Sequence, residues 1–207
     1  PCDGSMSATL GTTAQPTVAV AGPATPTLRR SGREVSAQAG RRSAFDVWPA
    51  GEEHHIPEAD DLELTYRVED ASAGGEEARR VLKSAFSHCD DNVIDLQQQY
   101  ATARRIVLLR AAEAVAVAVC FAHTEKEISV LEVPMLGVEK GQRKLGHGTL
   151  LVAIAMRLAD ELGLQHLVVS ATGEAGQWWL RQGLHKKGDP QVPIACAQAT
   201  RRLMQSG

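Results

Sequence analysis

The sequence contains little cysteine and no long apolar run. Its four cysteines lie far apart and form no Cys-x-x-Cys pair: Cys2, Cys89, Cys120 and Cys196. This spacing argues against a zinc ribbon or a dense disulfide framework, and it favours reduced thiols in a nuclear or cytoplasmic compartment. A membrane-spanning helix needs about 18 consecutive apolar residues, and because no such run is present we expect no membrane partner.

Positive charge is not in excess either. Hydrophobic residues make up 43% of the chain, charged residues make up 23%, and the formal net charge is −3. This composition is typical of a folded globular protein, and the charge argues against strong direct binding of nucleic acid. The adjacent His54 and His55 lie in a polar segment that is interpreted as a solvated loop, so we predict no metal site.

The first 60 residues differ in composition from the rest. They are rich in Ala, Thr, Ser, Gly and Pro and show no sustained apolar period, so we predict a disordered or extended segment over residues 1–60. Two small basic clusters, at 28–33 and 41–42, are interpreted either as a nuclear-import or docking segment or as part of a solvated linker. A folded domain is predicted over residues 61–207.

From residue 62 the apolar pattern becomes regular. The spacing predicts strands at 62–68, 106–109, 114–122, 128–138 and 166–170, and helices at 76–88, 92–103, 149–162 and 174–181. Residues 192–194 are a candidate for a last strand. This order predicts a mixed sheet with helices on its faces, which is an α/β or α+β fold.

Pro134 lies inside the predicted strand 128–138. Proline has no N–H to donate to a strand ladder and is disfavoured in central strands. We therefore predict a β-bulge or a splayed edge at this point of the sheet.

A glycine-containing loop connects this strand to the predicted helix 149–162. Gly146 and Gly148 have no Cβ, so a phosphate can approach the backbone closely, and Arg143 and Lys144 add positive charge. A helix N-terminus also offers unpaired N–H groups, so the loop predicts a diphosphate site. The alternative is a tight strand-to-helix turn without a ligand. The loop matches neither a Walker P-loop nor the dinucleotide fingerprint.

These residues resemble a known family. The run Arg143-Lys144-Leu145-Gly146-His147-Gly148 resembles the pyrophosphate motif Arg/Gln-x-x-Gly-x-Gly/Ala of the Gcn5-related N-acetyltransferases (GNAT). Residues 131–138 are similar to the fourth strand of Gcn5-type histone acetyltransferases, and resemble still more a plant-type group with a PHD finger. Residues 166–184 resemble the family's later motif. The resemblance implies the GNAT fold, a mixed central sheet with splayed strands flanked by helices.

The resemblance also implies acetyl-CoA as the cosubstrate, with no metal. The backbone of Leu136, Gly137 and Val138 is expected to bind the pantetheine arm. The pyrophosphate is expected to lie against the loop and the first helical turn, formed by Arg143, Lys144, Leu145, Gly146, His147, Gly148 and Thr149.

Glu132 is the candidate general base. A lysine ammonium must lose a proton before it attacks a thioester, and Gcn5-type enzymes use a strand glutamate in this register. The alternative is that Glu132 is the exposed half of an alternating strand. Other family members use a tyrosine as the acid where this chain has Trp178, which has no titratable proton, so the acid stays unassigned.

The resemblance therefore predicts an N-acetyltransferase that acetylates a protein lysine, with a histone tail as the candidate substrate and the nucleus, or else the cytoplasm, as its location. Two alternatives stay open. One is acetylation of a small amine or of a protein N-terminus. The other is a catalytically weak domain of the same fold that serves as a binding module. The sequence does not determine the oligomeric state.

Overall fold

One mixed sheet organises the chain. The computed structural model describes residues 17–21, 47–56, 63–71, 75–87, 94–95, 103–125, 128–171 and 173–186. Within these ranges eight strands follow in chain order: β1 (Thr17–Ala21), β2 (Glu53–His55), β3 (Leu64–Asp70), β4 (Arg104–Arg110), β5 (Glu113–Glu125), β6 (Ile128–Val138), β7 (His166–Ala171) and β8 (His185–Lys186). Their order across the sheet is β2-β3-β4-β5-β6-β7-β1-β8. Only β6 and β7 pair in parallel, and the other neighbours within these ranges are antiparallel.

Helices cover both faces of this sheet. They are α1 (Glu76–Ala85), α2 (His147–Glu161) and α3 (Gly173–Arg181), and a 3-10 turn (Lys140–Gln142) precedes α2. The apolar side of α1 packs on one face of β4 and β5, while α2 and α3 pack on the other face. The predicted mixed sheet flanked by helices is therefore confirmed. None of the described helices is long and apolar enough to cross a membrane.

Two predicted elements lie largely outside the described residues. Of the helix predicted over 92–103, residues 94–95 are helical and 103 precedes β4, and the rest is outside. The strand candidate at 192–194 lies outside entirely.

Two strands N-terminal to residue 60 belong to the sheet. Strand β1 pairs with β7 over five residues and also with β8, and β2 pairs with β3. Trp48 is buried and meets Tyr66 edge to face, with ring centroids 5.0 Å apart. The guanidinium carbon of Arg157, on α2, lies over the Trp48 ring, 5.9 Å from the ring centroid. The domain boundary predicted at residue 60 stays a prediction.

We expect deletion of residues 1–21 to destabilise the domain. The deletion removes β1 and leaves β7 without its antiparallel partner, so ladder hydrogen bonds are lost. A loss of about 1 kcal/mol lowers the Tm of a chain of this size by about 2–4 °C, and we expect at least that decrease in a thermal unfolding experiment. Deletion of residues 1–16, which ends before β1, is the control. Equal melting temperatures for both deletions would show that β1 adds no stability.

Acid is expected to destabilise the fold through one buried and one partly buried histidine, His147 and His166. Burial lowers the pKa of His147, and the nearby Arg110 guanidinium lowers it further; burial also lowers the pKa of His166. The unfolded chain takes up these protons near pH 6.5, whereas the folded chain resists them. The free energy of unfolding is therefore highest above about pH 6.5 and falls as the pH drops through the lowered folded-state values.

The measurement is the Tm between about pH 7.5 and pH 5. A His147→Gln, His166→Gln double variant has no imidazole to protonate at these positions, so its Tm should fall less steeply than that of the wild type. Parallel curves would contradict this prediction.

Candidate active site

Strand β6 separates from β7 at Pro134. The parallel pairing runs from Val130 to Val133 and ends there, although β7 continues to Ala171. On the other side of β6, Val119 of β5 lies opposite Met135, whereas Phe121 lies opposite Glu132. Between these two pairs β6 advances by three residues and β5 by two. The extra residue on β6 forms a β-bulge at Val133-Pro134. The bulge and the splayed edge predicted from Pro134 are confirmed.

The bulge also changes which face of the sheet each side chain meets. Leu131 and Val133 pack in the core under α2, whereas Met135 packs in the core under α1. In an uninterrupted strand all three would lie on one face, because side chains alternate with a period of two. Glu132 lies between Leu131 and Val133 and therefore faces the α1 side, as Met135 does.

Beyond the bulge, β6 offers a free backbone edge. Leu136, Gly137 and Val138 pair with β5 on one side. No described strand pairs with them on the other side, where β7 has parted. An extended ligand can therefore bind this edge through backbone hydrogen bonds, as an added strand would. These are the three residues for which the sequence predicts contact with the pantetheine arm.

Gly137 has a packing role as well. A Cβ placed on Gly137 would lie 2.8 Å from the Cβ of Ala85, so the missing side chain lets α1 approach the strand closely. The sequence shows the glycine but not this helix above it.

The loop after β6 ends in a left-handed turn at the start of α2. Lys144 has φ 65° and Gly146 has φ 86°, and Gly146 precedes the first helical residue. The first helical hydrogen bond runs from the N–H of Leu150 to the carbonyl oxygen of Gly146, and no side chain caps the helix. The N–H groups of residues 147–149 therefore precede the helical ladder, and groups in this position are what the predicted diphosphate site requires.

The side chains of this loop differ in what they contact. Arg143 donates to the carbonyl oxygens of Val138 and Ala85, at 3.3 and 3.2 Å, so it ties the loop to the end of α1. Lys144 is exposed and Leu145 is 53% exposed. His147 is only 3% exposed, and its Nε2 has no hydrogen-bond partner among the described residues.

A second set of contacts holds the same loop to α1. Arg80 forms an ion pair with Glu139 and donates to the carbonyl oxygen of Ala114 at 3.2 Å. The N–H of Lys140 lies 3.4 Å from the Ser84 hydroxyl oxygen. Helix α1 thus fixes the path of the chain between β6 and α2.

Trp178 of α3 lies against the first turn of α2. A Cβ on Gly148 would be 3.1 Å from the Trp178 ring, so the glycine makes room for the indole. Trp178 in turn meets Trp179 edge to face, with ring centroids 4.7 Å apart. Both tryptophans therefore take part in packing around α3. Trp178 is partly exposed and borders the anion site.

Glu132 has a partner that sequence reasoning missed. His123 of β5 places its Nε2 2.9 Å from Oε2 of Glu132, and the side chains are 32% and 19% exposed respectively. The sequence carries one indication of this partner, because His123 is the first polar residue after the apolar run of β5. Its significance depends on the register of β5 against β6.

Cys120 is the remaining reactive residue type near the bulge. Complete burial raises the pKa of its thiol to about 12, so it stays protonated and is no nucleophile at neutral pH. Cys120 is a small residue of the core under α2. The described residues contain no group of three or more His, Cys, Asp or Glu that could hold a metal ion.

No protein-family model matches the chain, and no curated protein matches its sequence. Solved structures match its fold. A ribosomal-protein-alanine N-acetyltransferase from Brucella melitensis biovar Abortus 2308 aligns with a TM-score of 0.51 and 17% identity, over 63% of this chain and 98% of its own.

A GCN5-related N-acetyltransferase from Kribbella flavida aligns with a TM-score of 0.50 and 18% identity, over 84% of this chain and 55% of its own. An aminoglycoside N-acetyltransferase, AAC(6')-Iy, solved in complex with CoA, aligns with a TM-score of 0.46 and 13% identity, over 64% of this chain and 86% of its own. At such identities a likeness concerns the fold and not the activity. The first two alignments show that the chain has the fold of the Gcn5-related N-acetyltransferases.

Proposed function

We propose that this chain is an N-acetyltransferase that uses acetyl-CoA to acetylate a protein lysine. The observation that carries the proposal is the parting of β6 from β7 at Pro134, beside the open N-terminus of α2. A splayed strand edge and a helix start at its end together fit a ligand with an extended arm and a diphosphate. Glu132 lies on the same strand, two residues before the bulge proline.

The residues present fit acetyl-CoA. The backbone edge of Leu136 to Val138 would hold the pantetheine arm, and the N–H groups of residues 147–149 would hold the diphosphate. Nothing lies within 4 Å of the position that a Cβ on Gly146 would take, so a phosphate has room there. Exposed Lys144 adds positive charge beside it.

Bound acetyl-CoA supplies an acetyl group activated as a thioester, which a neutral amine can attack. Glu132 would accept the proton that the substrate ammonium must lose. It has one oxygen within hydrogen-bonding distance of His123 and another that no described residue contacts. Trp178 offers no titratable proton, so we assign the protonation of the leaving sulfur to solvent.

For the substrate we propose a lysine in a protein, with a histone tail as the first candidate and a nuclear, or else cytoplasmic, location. The support is the strand glutamate, because a lysine with a pKa of about 10.4 is almost fully protonated at neutral pH and needs a base. The basic clusters at 28–33 and 41–42, which would serve import or docking, lie outside the described residues.

Two alternative functions would give other outcomes in an acetylation experiment. One is acetylation of a small amine or a protein N-terminus, and the Brucella protein is named as a ribosomal-protein-alanine N-acetyltransferase. The other is a binding module of the same fold with little catalysis. Labelled acetyl-CoA would be offered to histone-tail peptides, peptides with a free N-terminal alanine and an aminoglycoside, and products read by mass spectrometry. Modification of the lysine side chain supports the proposal, and modification of another amine alone overturns it.

The proposed diphosphate site predicts a charge-specific loss of binding at Gly146. Asp and Asn have the same shape, and both tolerate the left-handed conformation of this position better than other residues do. Gly146→Asp adds a carboxylate where the diphosphate would bind, whereas Gly146→Asn adds none. Ligand at about 100 times its Kd stabilises a folded protein by roughly 2.7 kcal/mol.

The measurement is the Tm with and without acetyl-CoA. We expect a clear upward shift for the wild type, a smaller shift for Gly146→Asn and none for Gly146→Asp. Equal shifts for the two variants would mean that no phosphate lies at this helix start. Gly148 is unsuited to this test, because any side chain there also displaces Trp178.

The general-base role predicts a pH-dependent defect in Glu132→Gln. Glutamine keeps the shape of the side chain but cannot accept a proton, so acetyl-CoA binding should persist while turnover falls about 10²–10⁴-fold near neutral pH. The defect should narrow as the pH rises, because more of the lysine amine is already neutral. Rates between about pH 6.5 and 9.5, below the lysine pKa of about 10.4, would show this trend. A variant as fast as the wild type at pH 7 with saturating acetyl-CoA would remove Glu132 from the mechanism.

A further inference from the structure

His123 forms a pair with Glu132, and the proposed function assigns no role to this histidine. Strand pairing sets Phe121 opposite Glu132 and His123 opposite Val130. His123 is therefore the diagonal neighbour of Glu132 on one face of the sheet, at a separation that long side chains can bridge. The distance of 2.9 Å between Nε2 and Oε2 is that of a good hydrogen bond.

The surroundings hold both members of the pair in place. The Glu132 side chain is 19% exposed, and its backbone is paired with a strand on either side. The His123 ring lies 6.2 Å from the Phe121 ring, which is itself buried, so packing limits the orientation of the imidazole. About a third of His123 remains exposed, so this pair lies at the boundary between core and solvent.

The hydrogen bond occupies one carboxylate oxygen and leaves the other open. Among the described residues no hydrogen bond reaches Oε1 of Glu132, whereas Oε2 faces the imidazole. A carboxylate held by one oxygen cannot rotate freely, so the direction of its second oxygen is fixed. A proton acceptor works only when its lone pair points at the proton it takes, and positioning of this kind contributes strongly to enzymatic rates.

We propose that His123 is a positioning residue for Glu132, an inference that rests on the proposed function. In this arrangement the ring donates Nε2–H to Oε2 and orients the carboxylate. Oε1 then accepts a proton from the ammonium nitrogen of the substrate, whose N–H bond breaks and leaves its electron pair on nitrogen for the attack.

The test compares His123→Leu with His123→Gln. Leucine cannot donate a hydrogen bond, whereas the glutamine amide can donate to the same oxygen. A hydrogen bond to a charged group corresponds to roughly a tenfold to hundredfold effect. We expect kcat on a peptide with an unmodified lysine to fall by that factor in His123→Leu, with an unchanged KM for acetyl-CoA, and to recover largely in His123→Gln. Equal kcat for His123→Leu and wild type would overturn the proposal.

A double variant separates this inference from the proposed function. If His123 acts only through Glu132, then His123→Leu should slow the wild type but not the Glu132→Gln background. An equal loss in both backgrounds would show that His123 acts elsewhere. If Glu132→Gln is as fast as the wild type, the proposed base itself fails, whatever His123 does.

A spectroscopic measurement needs no substrate. Long-range ¹H–¹⁵N spectra of the folded protein near pH 7.5 should show the His123 ring protonated at Nε2, and the signal should shift in Glu132→Gln. A ring protonated only at Nδ1 would contradict the donation to Glu132. The Tm of each variant, and its rise with acetyl-CoA, would establish that the variants are folded.

Discussion

Pro134 has no backbone N–H to give to a neighbouring strand, and the pairing of β6 with β7 stops immediately before it. This interruption changes the strand pairing on both sides of β6. Toward β7 the strand edge becomes free over Leu136 to Val138, and toward β5 the ladder takes up an extra residue. That extra residue turns Glu132 and Met135 to one face of the sheet. A single residue type thus creates the free edge and sets the direction of the candidate base.

Helix α1 is the second constraint, because it holds the loop that follows β6. Gly137 lets the helix approach the strand, and Arg143 binds the carbonyl oxygen of Ala85 at the end of the helix. A cation at a helix C-terminus is favourable, since the last carbonyl groups carry partial negative charge. The arginine of the loop motif therefore holds the loop against α1, and the proposed diphosphate site depends on the backbone N–H groups at the start of α2.

The local parts of this arrangement could be predicted from the sequence, and the long-range parts could not. Pro134, the Gly146 turn and the long helix after it each leave a signal within a few residues. The contact of His123 with Glu132 depends on the register of β5 against β6, and no local sequence pattern determines that register. Strand β1 is five residues of unremarkable composition that pair with β7, about 150 positions away in sequence. The burial of Trp48 likewise depends on its contact with Tyr66, which is distant in sequence and leaves no local signal.

The site keeps a candidate base and lacks a candidate acid, and the chemistry of an acetyl transfer explains this asymmetry. An amine with a pKa of about 10.4 must lose a proton before it can attack, so near neutral pH a base is needed for almost every molecule. A thiol such as cysteine has a pKa of about 8.5, so a departing sulfur is stable enough as an anion to wait for a proton from solvent. A titratable side chain is then not required at position 178, and Trp178 packs there against Gly148. On this reasoning the rate should depend on Glu132 and on the residue that orients it far more than on any group beside the sulfur.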